Sequence, residues 1–347
     1  MVHTTSDGNA ARRLRSLVLK GLAATGLPLL ALRRKKKRAT IVLYHGITRE
    51  QGDGIFNYRR KFVGTDNFAK HIQWFTQHFT LLPLSTLIET IGVAYEKPPL
   101  AITFDDGYAN NYTDAFPILR DAGVPATFFI TTGFIEGAPL PVDRLEYALG
   151  SHRDRITVEL PDGPRTLPLT TREERIAADE VLRPYLKRLS AQHKEAFLGS
   201  LVAQTGRDLV PLLHESEYAP MTWDQMQDMR TSGMTFAAHT VTHPILSQLS
   251  RAEAREEIRA SHEILTARGL APLPIFAYPN GGARDFTDET VAILRDAGFI
   301  ASLTTRPGEC TSAHNCFKLP RYTLDGTDEL YRLSTTVSGL QRMIQGV

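Results

Sequence analysis

Six short apolar runs recur along the chain: TIVLYH, LAITFD, ATFFIT, MTFAAH, PIFAYP and FIASLT. Each is rich in β-branched or aromatic residues and too short for a typical helix, so each predicts a buried strand. Between several of them the apolar period lengthens. NNYTDAFPILRDAG predicts a helix ending at Gly123, a favourable C-cap residue. TWDQMQDMRTSG and SRAEAREEIRASHEILTARG open with Thr222/Gln225 and Ser250/Glu253 at capping-box spacing, and FTDETVAILRDAGF predicts a further helix closed by glycine. Strands alternating with helices predict parallel βα units in an α/β fold. Both faces of such a sheet are covered, which is why its strands read as continuously apolar rather than alternating.

Residues 143–220 break this rhythm. RITVELPDGPRTLPL predicts a hairpin about a Pro-Asp-Gly turn, and the remainder predicts two helices. The stretch reads as a mostly helical insertion in a body spanning 39–347. Residues 1–38 are different again. They hold ten Lys or Arg against Asp7, a net +9, which leaves −7 for the rest of a chain whose total is +2. A mildly acidic body gives no reason to expect nucleic acid as a partner. The tail's apolar run, Ser16–Leu32, is at the short limit for a membrane span and carries Lys20 and Pro28. With basic residues on both flanks, 12–38 fits a helix lying on an anionic membrane surface better than a span. The alternative is a tail with no membrane role. The expected location is peripheral to an inner membrane, on its cytoplasmic or periplasmic face. Cys310 and Cys316 match no CxxC motif and are expected to be free thiols.

Two segments carry candidate chemistry. AITFDDGY brings Asp105 and Asp106 side by side to the end of a predicted strand. Adjacent carboxylates resist joint ionisation unless a cation or solvent offsets the repulsion. AAHTVTHP places His239 and His243 after another strand, at a spacing that lets two imidazoles meet on one turn of helix. Both segments fall at C-terminal strand ends, where parallel α/β folds put their sites. One aspartate and two histidines make a mixed N/O set suited to catalytic zinc, and the other aspartate is then available as a general base.

TFDDGY, HTVTH and FAYPNGG together resemble the first three motifs of the polysaccharide deacetylases, carbohydrate esterase family four, over roughly residues 40–325. The resemblance implies a distorted (β/α) barrel, a divalent metal that is usually zinc, and removal of acetyl groups from sugar polymers. It implies Asp105 as the base and Asp106, His239 and His243 as the metal triad. The third motif departs from the family pattern: Ala277 stands where a bracing arginine is usual. Asn280 would supply the backbone N–H for the developing oxyanion, and Tyr278 would line the substrate. The family's late acid histidine has no counterpart here. IVLYHGI instead places His45 at the end of the first strand, resembling a permuted branch in which the acid comes first. Arg321, in KLPRYTLD, is the candidate replacement brace.

The expected activity is therefore metal-dependent deacetylation of an N-acetylated amino sugar in a glycan that is lipid-linked if the tail anchors the protein. Two other classes remain open on the sequence. One is a carbohydrate-binding protein that keeps the scaffold without turnover. The other is a two-carboxylate glycosidase, which needs no metal and holds its carboxyl groups at least ~5 Å apart.

Overall fold

The computed structural model describes residues 17–49, 54–151, 153–324, 326 and 329–341. Twelve strands are present among them: β1 (Thr40–Tyr44), β2 (Gly46–Thr48), β3 (Phe62–Gly64), β4 (Thr80–Leu81), β5 (Pro99–Asp106), β6 (Ala126–Ile130), β7 (Arg155–Leu160), β8 (Gly163–Pro168), β9 (Thr235–Ala238), β10 (Leu273–Ala277), β11 (Ala301–Leu303) and β12 (Tyr322–Thr323). The six apolar runs form β1, β5, β6, β9, β10 and β11, all in one parallel sheet in the order β11-β10-β9-β6-β5-β1-β12, with β4 also on β5. The segment 319–323 joins the two ends of this sheet. Leu319 bridges Leu303 of β11, and three residues later Tyr322 pairs with Val42 of β1. The sheet is thus a distorted parallel barrel of the deacetylase type.

Strand alternation sorts the core into two layers. Ile41, Ala101, Phe129, Ala237, Ile275, Ala277, Ala301 and Leu303 pack with one another inside the barrel. Their neighbours Val42, Ile102, Phe104, Phe128, Phe236 and Phe276 face outward under the helices. The helices begin where the sequence caps them. Thr222, Ser250 and Thr287 each accept from the N3 backbone at the starts of Trp223–Thr231, Arg251–Ala267 and Asp288–Asp296. NNYTDAFPILRDAG is a helix only in part: Phe116–Asp121 is α-helical, but Asn111–Ala115 winds as a π-turn.

In the insertion, β7 and β8 pair antiparallel around the Pro161-Asp162 turn, followed by helices Arg172–Arg188 and Ala191–Thr205. These elements and helix Pro141–Leu149 share a separate apolar core, with Leu145, Leu149, Ile156, Leu182, Leu186, Leu198 and Leu201 at its centre. Of the tail, residues 12–16 lie outside the described residues. Residues 17–24 and Leu27–Arg33 are helical, with Leu19 and Leu32 buried. No helix among the described residues is long and apolar enough to cross a membrane. Cys310 and Cys316 are free thiols, the first buried and the second exposed.

Candidate active site

The alternation that fills the barrel also aims its rim. Continuing the inward parity past each strand end, β1 delivers His45, β5 delivers Asp105 and β9 delivers His239. All three line one cavity of about 340 Å³ together with Asp106, His243 and Asn280. Asp106 has the wrong parity for this. It reaches the rim because its backbone turns to φ 76°, a region that ordinary side chains avoid. Gly107 follows at φ 103°, and a Cβ there would come within 3.1–3.2 Å of Ile135 and Ile130. The glycine of the DDG motif is what lets the chain turn away in that space. Of the seven non-glycine residues with positive φ among the described residues, five line this cavity: Asn57, Arg60, Asp106, His243 and Asn280. Strain of this kind concentrates at functional sites.

Asp106, His239 and His243 offer ligand atoms that all lie within 4.8 Å of one another. Asp106 Oδ1 is 3.5 Å from His243 Nε2 and 3.7 Å from His239 Nε2, and it is buried without a hydrogen-bond partner. A buried carboxylate oxygen left unpaired is costly, and a cation between these three atoms removes that cost. His239 Nδ1 lies 2.7 Å from the Ala277 carbonyl, so it carries the proton and leaves Nε2 free to bind metal. Burial pushes His243 down to about 3 despite Asp106, so its imidazole is a free base. The two histidines do not meet on a helical turn, which corrects the expectation from their spacing. Thr240 at φ 67° and His243 at φ 57° fold HTVTH into a loop. Glu257 on helix Arg251–Ala267 anchors it by accepting from Val241 N–H, Thr242 N–H and the Thr242 hydroxyl.

Asp105 receives both arms of Arg321, at 2.8 and 2.7 Å, and neither residue is more than 2% exposed. The guanidinium is itself fixed by the Thr304 carbonyl. Burial alone would raise the Asp105 pKa, but Arg321 and His239 outweigh it and hold the carboxyl below its usual range. Asp106 is likewise held ionised against its burial, chiefly by Lys61. Lys61 is a further member of the site that no motif marks. Its ammonium lies 3.0 Å from Asp106 Oδ2, 3.5 Å from Asp143 Oδ1, and against the Tyr108 hydroxyl. It thereby fixes the second oxygen of Asp106 and turns Oδ1 towards the histidines. Its only sequence signal is a polar NYRRK just before a short apolar run, which does not distinguish it from a solvated turn.

His45 lines the cavity, and burial pushes its imidazole down to about 4, with Asp106 opposing. Asn280 accepts from Lys187 Nζ at 2.5 Å through its side chain, while its own N–H has no acceptor among the described residues. Tyr278 is a correction. It does not line the cavity: it is fully buried, stacks on Phe286 at 3.9 Å between ring centres, and donates its hydroxyl to the Phe317 carbonyl. Parity explains this, because Tyr278 continues the outward face of β10 after Phe276 while Ala277 faces in.

Known proteins agree with this architecture. The chain is 20% identical over 293 residues to YxkH of Bacillus subtilis strain 168, whose name assigns it provisionally to the polysaccharide deacetylases; the match spans 83% of this chain and 71% of that one. The fold superimposes on the Streptococcus pyogenes deacetylase PplD, solved with acetate, with TM-score 0.57 and 19% identity over 86% of this chain and 98% of that one. IcaB from Ammonifex degensii gives TM-score 0.53 at 15% identity, over 87% and 97%. The polysaccharide deacetylase family model matches residues 92–158 and 177–301, more than half of the chain. It takes in both aspartates and both histidines and stops short of His45, Lys61 and Arg321. The chain belongs to the polysaccharide deacetylase family, hydrolases that act on the carbon–nitrogen bonds of acetylated polysaccharides.

Proposed function

We propose that this protein removes acetyl groups from N-acetylated amino sugars of a glycan, using a divalent metal, zinc by its two-nitrogen, one-oxygen donor set. The observation that carries this reading is the orphaned Asp106 Oδ1 facing two imidazoles beside the Asp105–Arg321 pair. Family members are generally divalent-metal dependent. Asp106, His239 and His243 would hold the ion, which when bound polarises the acetyl group and lowers the pKa of a water.

The chain's own residues do the rest. Asp105, ionised at neutral pH, takes the proton of the attacking water. Arg321 holds the carboxylate in one orientation and stabilises its charge, filling the place left by Ala277. The free N–H of Asn280 donates to the carbonyl oxygen as it becomes negative, a role indifferent to the side chain. His45 delivers a proton to the departing amine nitrogen, as in the permuted branch. Burial keeps its imidazole neutral, so the proton it delivers is the one Asp105 took from the water, passed on as negative charge develops beside His45. The products are acetate and a free amino sugar.

The tail supports association with an anionic membrane, peripheral to an inner membrane. Leu17, Val18, Leu27, Leu29 and Leu30 are exposed, and Arg33, Arg34, Lys36 and Lys37 next to them are exposed as well. A protein held there suits a glycan that is itself lipid-linked.

Two measurements test these readings. Metal content of purified protein should be about one ion per chain and should vanish in His239→Ala; a metal-free wild type would leave a binding protein on the same scaffold. Fractionation with and without residues 1–38 tests the membrane reading, which fails if both forms are equally soluble.

A further inference from the structure

The insertion and the segment 59–61 bring more positive charge to the cavity than the acids there pair with. Arg59, Arg60, Lys61, Arg183, Lys187 and Lys194 all line the cavity. The acids there are already matched. Asp105 is held by Arg321, Asp106 and Asp143 by Lys61, and Glu146 by Arg183. Arg183 also binds Asp179, which leaves Arg59 only a 3.9 Å approach to the same carboxylate. Among the described residues Arg60, Lys187 and Lys194 have no carboxylate partner. The single bond of Lys187 goes to a neutral acceptor, Asn280 Oδ1. Burial, aided by Arg183 and Arg59 and only partly offset by Asp285, which forms no ion pair with it, pushes its ammonium down to about 8, and burial lowers Lys194 as well. A cation kept partly desolvated without a counter-ion is costly unless a ligand supplies the anion. A divalent ion at the triad would add to the surplus.

We propose that the glycan bears an anionic group, phosphate or carboxylate, on or beside the acetylated sugar, and that Lys187 and Lys194 of the insertion, with Arg60, recognise it. This rests on the deacetylase reading and narrows its substrate. Lys187 touches Asn280, whose main chain faces the reacting carbonyl in that reading. The anion therefore belongs to the acetyl-bearing ring or its immediate neighbour, not to a distant unit of the polymer. Lysines are compact, rotatable point charges, which suit an anion whose exact geometry varies.

Calorimetric binding of three probes tests this: a neutral N-acetylhexosamine disaccharide, the same disaccharide with one phosphate monoester, and one in which a hexuronic acid is the neighbouring sugar. The expected result is that one anionic probe binds at least about tenfold tighter than the neutral one. The better probe identifies the anion as phosphate or carboxylate, and the advantage shrinks as salt rises. In Lys187→Ala/Lys194→Ala the ratio should fall to within about twofold of unity, while Lys187→Arg/Lys194→Arg, which keeps both charges, should retain it. Equal binding of all three probes, no binding of any, or an advantage that survives in the alanine pair overturns the proposal. Acetate release, measured separately on the same probes, bears on the deacetylase reading alone. Anion-dependent binding without release would sustain this inference while refuting that reading.

Discussion

The two walls of the cleft are built by different means. On the barrel side the chemistry sits on strand ends, and the main chain sets its positions: inward parity for His45, Asp105 and His239, and left-handed turns for Asp106, His243 and Asn280. On the insertion side, helices with a core of their own present long side chains that hold one another. Arg183 binds Asp179 and Glu146, and Tyr218 donates to Glu146 at 2.8 Å. A sheet edge places a group within a few tenths of an ångström, which proton transfer needs; a helical wall of lysines and arginines offers charge at adaptable reach, which recognition needs. If that division is right, damage to the barrel rim should show in the rate, and damage to the insertion should show in stability or selectivity.

The largest effect is expected from Asp105→Asn. Removing the base should lower acetate release by about 10³-fold or more, while metal content stays near one per chain because Asp105 is not in the triad. Loss of the ion with the activity would mean that Asp105 is a ligand and that the two aspartates share one task. Next comes Arg183→Ala in the insertion. It leaves the fully buried Asp179 with only the Tyr58 hydroxyl and the 3.9 Å approach of Arg59, and weakens the hold on Glu146. Removing one partner of a buried pair costs about 3–5 kcal/mol, so denaturant unfolding should shift by that order. Metal content of the protein that remains folded should not change. If it does, the walls are one unit, and the comparison breaks.

Arg321→Lys probes the rim more finely. Charge is kept, but the two-armed grip on Asp105 is lost. The expectation is a fall of about 10- to 100-fold in kcat with little change in KM, because orientation of the base and not glycan binding is disturbed. An equal change in both would assign Arg321 to the general packing of the barrel.

The sequence showed its local signals faithfully and its distant ones poorly. Six apolar runs became six strands of one sheet, because fully buried parallel strands have a pattern of their own. The capped helices began at the residues that cap them. Asp105, Asp106, His239 and His243 stood out because each pair sits within a few residues of the other. The strands β2, β3 and β12 are two or three residues long and too short to show a period. Lys61 meets Asp106 across 45 positions of chain, with no pattern linking them. Arg321 meets Asp105 across 216 positions, and only the alanine at 277, where an arginine is usual, hints at it. The motif alone assigns Tyr278 to the substrate, whereas the alternation along β10 sets it opposite to Ala277. The same parity, continued past each strand end, groups His45, Asp105 and His239 without any motif.

The smallest effect tests whether the two walls unfold together. Thr171 caps the insertion helix Arg172–Arg188, and Thr222 caps the barrel helix Trp223–Thr231; each forms a full capping box. Replacing either by alanine should cost about 1 kcal/mol. In a single cooperative unit the two variants would lower one transition by similar amounts. The separate apolar core of the insertion predicts otherwise. Thr171→Ala should raise amide exchange in the insertion before the barrel responds, while Thr222→Ala should leave the protection of the insertion helices unchanged. Matching exchange profiles for the two variants would show that the cleft is closed by one rigid body. Recognition and chemistry would then have to be tuned together.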